Sequence, residues 1–138
     1  MNTGKILLAL TLSLLTPVLQ AQAACPRLDA NTSIHWEEKQ VPDLTFCRAL
    51  DASGNELFSL SLAHDYPFKP SRSQRAESAV INGRSTYWYR TEIATRPGVE
   101  ARETLVKLND GRVAYFNVQA NTIDALPPVF DIISRLSF

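Results

Sequence analysis

Side chains capable of acid–base catalysis are few in this sequence. The two histidines are His35 and His64, and Asp65 follows His64 directly. A neighbouring carboxylate can orient a histidine as a general base, but a hydrogen-bonded loop histidine is the commoner arrangement. Glu37 and Glu38 are adjacent, and adjacent residues of a strand point to opposite faces, so they do not form an acid–base pair. We therefore predict no catalytic residue.

Motifs for metal and phosphate chemistry are also missing from the sequence. The two histidines are too far apart to form a local metal-binding pair, and no His-Glu-x-x-His helix is present. Five glycines in 138 residues leave little material for a backbone phosphate cradle, and no Gly-x-Ser-x-Gly elbow occurs. We predict no metal site and no cofactor.

The first 23 residues have the features of a secretory signal peptide. Lys5 precedes an apolar run from 6 to 15, and Ala21-Gln22-Ala23 is a small-x-small cleavage site. The apolar run is about ten residues long, whereas a membrane-spanning helix needs roughly 20. The sequence thus predicts a signal peptide over 1–23 and a single mature domain over 24–138. We expect a periplasmic or secreted protein without a transmembrane anchor.

Cys25 and Cys47 are the only cysteines of the chain. In an oxidising compartment an intramolecular disulfide is favoured, and closing a loop of about 23 residues stabilises the fold by roughly 3 kcal/mol. The alternatives are a bond to another chain, a free thiol, or lipidation of Cys25. Gln22 argues against lipidation because a lipobox has an aliphatic residue at that position. We predict a structural Cys25–Cys47 bond.

The charge of the predicted mature chain is nearly balanced. Without Lys5, 13 of the 14 basic residues remain against 14 acidic ones. A balanced chain has no global field that would attract a polyanion, so we predict no nucleic-acid partner.

Three pairs of apolar-alternating segments predict hairpins. Residues 45–50 and 56–63 are joined by Asp51-Ala52-Ser53-Gly54-Asn55, residues 77–81 and 84–93 by Asn82-Gly83, and residues 101–108 and 112–120 by Asn109-Asp110-Gly111. Six strands in three hairpins is the economical count.

The end of the chain changes to helical spacing. Apolar residues recur through Phe130, Ile133 and Leu136, and Thr122 is a suitable N-cap. Because Pro127 and Pro128 are tolerated only in a first turn, we expect either a kinked helix or one that begins near Pro127. The predicted fold is α+β, an antiparallel sheet of about six strands with a C-terminal helix packed on it.

The connection over residues 64–76 is the first candidate binding surface. It is long for a compact domain, and it combines two aromatic residues with three cations, a mixture that interfaces favour. The candidate residues are Tyr66, Phe68, Lys69, Arg72 and Arg75. The competing interpretation is a solvated crossover that the two aromatic rings fasten to the core.

Trp88 and Arg90 form the second candidate. Alternation places them on one face of a strand, where an exposed tryptophan beside an arginine could stack on a partner. The competing interpretation is that Trp88 lies beneath the C-terminal helix.

Taken together, an early Trp36, consecutive hairpins, the strand Gly83-Arg-Ser-Thr-Tyr-Trp-Tyr89 and a closing helix before Arg135-Leu136-Ser137-Phe138 resemble the layout of PsbP-like sandwiches over residues 34–138. This resemblance implies a binding scaffold and carries no functional residue across.

Our hypothesis is an exported non-enzymatic binding module for a protein or envelope component, with an inhibitor or immunity-type protein as one version. The alternatives are a small extracytoplasmic hydrolase or ligand carrier built around His64, and a structural envelope protein.

Overall fold

The computed structural model describes residues 25–92 and 96–138. The predicted signal peptide, residues 1–23, and the last position of the predicted strand 84–93 lie outside the described residues. Within the described ranges, no helix is long and apolar enough to span a bilayer.

The fold is α+β, with one antiparallel sheet and a C-terminal helix. The sheet has seven strands in the order β1-β2-β3-β7-β6-β5-β4. Their bounds are β1 (His35–Val41), β2 (Leu44–Leu50), β3 (Glu56–Ala63), β4 (Arg75–Ile81), β5 (Arg84–Thr91), β6 (Glu100–Lys107) and β7 (Val113–Ala120). All neighbouring strands are antiparallel.

The three predicted hairpins are present, namely β2–β3, β4–β5 and β6–β7. The backbone of the turn between β4 and β5 explains why Asn82-Gly83 predicts a hairpin. Asn82 and Gly83 both have positive φ, 51° and 72°, as a two-residue turn of the primed type requires.

The expected count of six strands was one too low, because β1 was missed. β1 is exposed at almost every position, so it lacks the apolar alternation on which the strand predictions relied. Its signal is instead the turn that joins it to β2, where Pro42 is followed by Asp43 at a φ of 64°. Proline followed by a residue with positive φ is typical of a tight turn.

The C-terminal helix, α1, spans Leu126–Ser134 and has its two prolines in the first turn. This agrees with the expectation of a helix that begins near Pro127. The expectation that Thr122 caps the C-terminal helix was wrong. Thr122 precedes a 3-10 turn, Ile123–Ala125, and its side chain makes no capping hydrogen bond.

The core lies between α1 and the sheet. Leu126, Val129 and Ile133 of the helix are buried against one face of the sheet, and Phe58 and Phe116 are among the largest buried side chains there. The remaining face of the sheet, opposite α1, is called the open face below.

The predicted disulfide joins Cys25 to Cys47, with their Cα atoms 5.9 Å apart. Cys47 is fully buried in the core, so the bond fastens the segment before β1 to the second strand. A backbone bridge between Arg27 and Ser137 holds the same segment to the end of the chain.

Candidate functional site

The strand β7 shows how the sheet divides its side chains between core and surface. Phe116 and Val118 alternate with Tyr115, Asn117 and Gln119, and the former pair is fully buried beneath α1. The latter three belong to the open face. The surface available for recognition is therefore polar and aromatic at its centre.

The connection between β3 and β4 lies across the open face. The ring of Tyr66 stacks on Tyr115 with centroids 4.2 Å apart, and Phe68 contacts Tyr115 and Tyr89 at 5.7 and 5.8 Å. These four residues are called the aromatic cluster. Tyr66 and Phe68 position the connection through these contacts, but on the open face, whereas the competing interpretation of residues 64–76 placed the two rings against the core.

Tyr115 is further held by a carboxylate. Its hydroxyl donates a hydrogen bond of 2.5 Å to Glu103 Oε2. Burial raises the pKa of Tyr115 above its usual value, and the Glu103 carboxylate raises it further. The phenol therefore stays protonated, which suits a fixed structural donor and not a nucleophile or base.

Four cations lie where this connection meets the sheet, and we call them the basic surface: Lys69, Arg72, Arg75 and Arg90. All four are exposed. Within the described residues, none of the four forms a salt bridge with a carboxylate. The charge of Arg90 helps to lower the pKa of Glu77, whereas the charges of Lys69, Arg72 and Arg75 are open to an approaching anion.

Two of these guanidinium groups are held in place. The Arg75 guanidinium lies over the Tyr87 ring at 4.2 Å, and Arg90 Nη1 donates to the carbonyl oxygen of Arg75 at 3.0 Å. Arg72 opens a 3-10 turn that leads directly into β4. A preorganised cation loses less side-chain entropy when it binds.

Trp88 is not part of this surface. It is 1% exposed, and its ring stacks on Phe130 of α1 with centroids 4.5 Å apart. Trp88 and Arg90 do share a strand face, but that face is the one that α1 covers, and only the end of the strand emerges at Arg90. Trp88 is a core residue, so its candidacy as a contact residue is wrong.

His64 does not lie beside Glu103, the carboxylate that holds Tyr115. It is exposed beside a small cavity of about 200 Å³, with Arg112 and Thr45 in the lining. Glu103 pairs with Asn117, whereas His64 follows Ala63, which is opposite Val113. Four residues of β7 separate these positions, or about 13 Å.

A second concavity of about 610 Å³ lies at the end of the open face near Arg48 and Arg96. It is rich in amide side chains, including Asn117 and Gln119. Arg48 binds both Glu37 and Glu56 there, and Arg96 donates to Gln119. Because the Arg48 charge is already offset, this concavity differs from the basic surface.

Within residues 25–92 and 96–138, no group of three or more His, Cys, Asp and Glu side chains could hold a metal ion.

No family model, curated protein or solved structure matches the chain.

The residues that hold the site, Tyr89, Glu103 and Tyr115, were not among the binding residues predicted from the sequence. A weak signal for them exists, because each belongs to a strand in which polar or aromatic residues alternate with apolar ones. Alternation cannot show which of the two faces a long loop will cross. The sequence therefore could not predict that Tyr66 stacks on Tyr115.

Proposed function

We propose that this protein is an exported, non-enzymatic binding module that recognises an acidic surface of a protein or envelope component. The observation that carries the proposal is the basic surface, four exposed cations without salt-bridge partners among the described residues. An inhibitor or immunity-type role is one version of it.

The arrangement of the aromatic cluster supports this function. Stacking of Tyr66 and Phe68 on the open face keeps Lys69 and Arg72 at a defined position, so the loop presents its charges without a large ordering cost on binding. Arginine suits such a role because its planar guanidinium donates two parallel hydrogen bonds to a carboxylate.

The disulfide is consistent with an extracytoplasmic location, since such bonds persist in oxidising compartments. Export and the signal peptide are parts of the proposal. So is the resemblance to PsbP-like sandwiches, whose members serve mostly as binding scaffolds.

The test is partner capture from an envelope or secreted fraction with the oxidised protein as bait. Arg72→Glu with Arg75→Glu should abolish capture of a stoichiometric partner, because charge reversal repels an acidic surface. Arg48→Glu is the matched control, since Arg48 is an arginine of the other concavity.

A partner retained equally by both variants would contradict the proposal. The urea midpoint of the double variant is measured alongside, and a midpoint equal to that of the parent attributes the loss of capture to the change of charge.

A further inference from the structure

We infer that the concavity beside Arg48 and Arg96, at the end of the open face, binds a neutral oligosaccharide that carries acetamido groups. The amide side chains, the strand register and the charge balance of this part of the sheet support this assignment. It goes beyond the proposed function, because it concerns a different surface and an uncharged ligand.

Amide side chains line much of the concavity. Four of them lie around its volume of about 610 Å³, namely Asn55, Asn117, Gln119 and Asn121. Gln119 Nε2 donates to Asn117 Oδ1 at 3.1 Å, and Gln119 Oε1 accepts from Arg96. Because a side-chain amide has two N–H donors and two acceptor lone pairs, Gln119 keeps one of each for a ligand.

The strand register aligns further polar side chains with these amides. Across five adjacent strands, the paired positions are Glu37, Arg48, Ser59, Asn117 and Glu103. Adjacent strands are about 4.8 Å apart, so this row is roughly 19 Å long. A chain of several sugar residues can follow a row of this length, whereas a single small molecule would leave most of it unused.

The charges around the concavity are balanced. Arg48 forms salt bridges with Glu37 and Glu56. The two arginines of the lining, Arg48 and Arg96, are therefore matched in number by these two carboxylates. Since neither sign is in excess, the surroundings favour an uncharged ligand that is rich in hydrogen-bonding groups.

An N-acetylated saccharide meets this requirement. Each sugar hydroxyl both donates and accepts a hydrogen bond, and an acetamido group adds a carbonyl and an N–H that can pair with one amide side chain. Its methyl group can pack on Leu57 or Val99, two half-buried aliphatic residues of the lining. Amide and aliphatic side chains thus lie together where both parts of an acetamido group need them.

A peptide fits this concavity less well. Extended peptides are recognised chiefly by addition to the free edge of a sheet, where backbone groups lack partners. The strands beneath the concavity, β3 and β7, pair with each other and with β2 and β6. They therefore present no edge to a peptide, and recognition has to use side chains.

The test is a titration of the oxidised protein with chitotetraose, followed through the NMR signals of the side-chain amides. At ligand concentrations up to about 10 mM, we expect saturable shifts at Asn117 and Gln119. Gln74, an exposed glutamine of the connection between β3 and β4, should not shift. Cellotetraose has the same length without acetamido groups, and it should bind at least fivefold more weakly.

Two substitutions of Gln119 test the contact itself. Gln119→Ala should weaken chitotetraose binding at least tenfold, because it removes a ligand contact and the hydrogen bond that orients Asn117. Gln119→Glu preserves the size of the side chain but removes its donor, and it should weaken binding as well. The matched control is Gln74→Ala, which should alter the affinity less than twofold.

Absence of saturable shifts, equal binding of cellotetraose, or equal affinities of the Gln119 variants and Gln74→Ala would overturn the inference. Displacement of chitotetraose by the uncharged peptide Thr-Val-Thr-Val-Thr would also overturn it, because the occupant would then be a peptide. Arg72→Glu with Arg75→Glu should leave chitotetraose binding unchanged, so failure of the proposed function and failure of this site are separate results.

Discussion

Arg102 is the most deeply buried charged residue of the described chain. Its side chain is 3% exposed, and it binds Glu77 through three hydrogen bonds of 3.0 to 3.2 Å and Glu100 through one of 3.2 Å. Desolvation acts to raise the pKa of Glu77, but the hydrogen bonds and charge of Arg102 outweigh it, so that the pKa lies below its usual value. The pair therefore links β4 to β6 in a pH-dependent way.

Glu77→Gln should lower the free energy of unfolding by about 1 to 3 kcal/mol at neutral pH, because Arg102 loses its main counter-charge while Glu100 remains. Since the pKa of Glu77 is lowered on folding, its contribution is complete above about pH 5 and declines as the pH falls below the usual carboxylate range. Urea unfolding at neutral and acid pH measures both effects.

The matched control is Glu56→Gln, which removes one carboxylate from the exposed Arg48 and should have a much smaller effect. An equal loss in the two variants, or an unchanged acid sensitivity in Glu77→Gln, would show that burial of Arg102 does not decide the contribution.

Tyr66 is the residue that fastens the β3–β4 connection. In Tyr66→Ala the stack on Tyr115 is lost, so trypsin should cleave after Arg72 several-fold faster than in the parent. Tyr66→Phe keeps the ring and should be cleaved at the parental rate. If the alanine variant resists trypsin as the parent does, the aromatic cluster does not order the connection.

At the scale of elements, the disulfide does more than close a loop. It attaches the segment before β1 to the buried Cys47, and Trp36 Nε1 of β1 donates to the carbonyl oxygen of Pro26 at 2.7 Å. The Trp36 ring also contacts Phe58 of the core with centroids 5.6 Å apart. The outer strand β1 therefore depends on both covalent and packing contacts.

Replacing both Cys25 and Cys47 by serine should lower the free energy of unfolding by about 3 kcal/mol, because the unfolded chain regains the entropy of an open loop. Urea unfolding of this variant should match that of the reduced parent. Hydrogen exchange should accelerate first at Arg27, whose amide donates to Ser137. A variant as stable as the oxidised parent would contradict the structural role of the bond.

The elements also show where sequence reasoning works. The hairpins β2–β3, β4–β5 and β6–β7 were predicted because each combines a strong turn with apolar alternation, and both signals are local. β1 was missed because an exposed outer strand needs no apolar residues, so its pattern is not distinct from that of a loop. Thr122 was misjudged because a 3-10 turn separates it from α1.

The whole molecule has no net charge, but one part of its surface is basic. The chain has 14 basic and 14 acidic residues, yet the basic surface collects four cations without salt bridges among the described residues. The proposed attraction to an acidic partner is therefore local, and it should be sensitive to screening by salt.

Capture of the partner should weaken at least tenfold between about 50 mM and 500 mM salt, because the Debye length shortens to a few ångströms over this range. The same series with Arg72→Glu and Arg75→Glu should show residual binding with little dependence on salt. Surface plasmon resonance with the captured partner measures both, and a salt-independent affinity for the parent would contradict an electrostatic interface.

The candidate site, like the fold, has features that the sequence could predict and features that it could not. Lys69, Arg72 and Arg75 could be proposed from the sequence because charge and aromatic content are visible along one connection. The exclusion of Trp88 and the role of Tyr115 could not be, since both depend on which face α1 covers and which face the connection crosses.

The sequence alone determined the local features of this protein: the α+β class, three hairpins, the C-terminal helix and the pairing of the only two cysteines. Turn chemistry and residue periodicity act over a few residues, and two cysteines allow a single pairing within the chain. Only the tertiary structure decided that β4 and β1 are the outer strands, that Arg102 is buried between two carboxylates, and that the cations beside β4 lack salt-bridge partners among the described residues. Those properties arise from contacts between residues far apart in the chain, which no local pattern encodes.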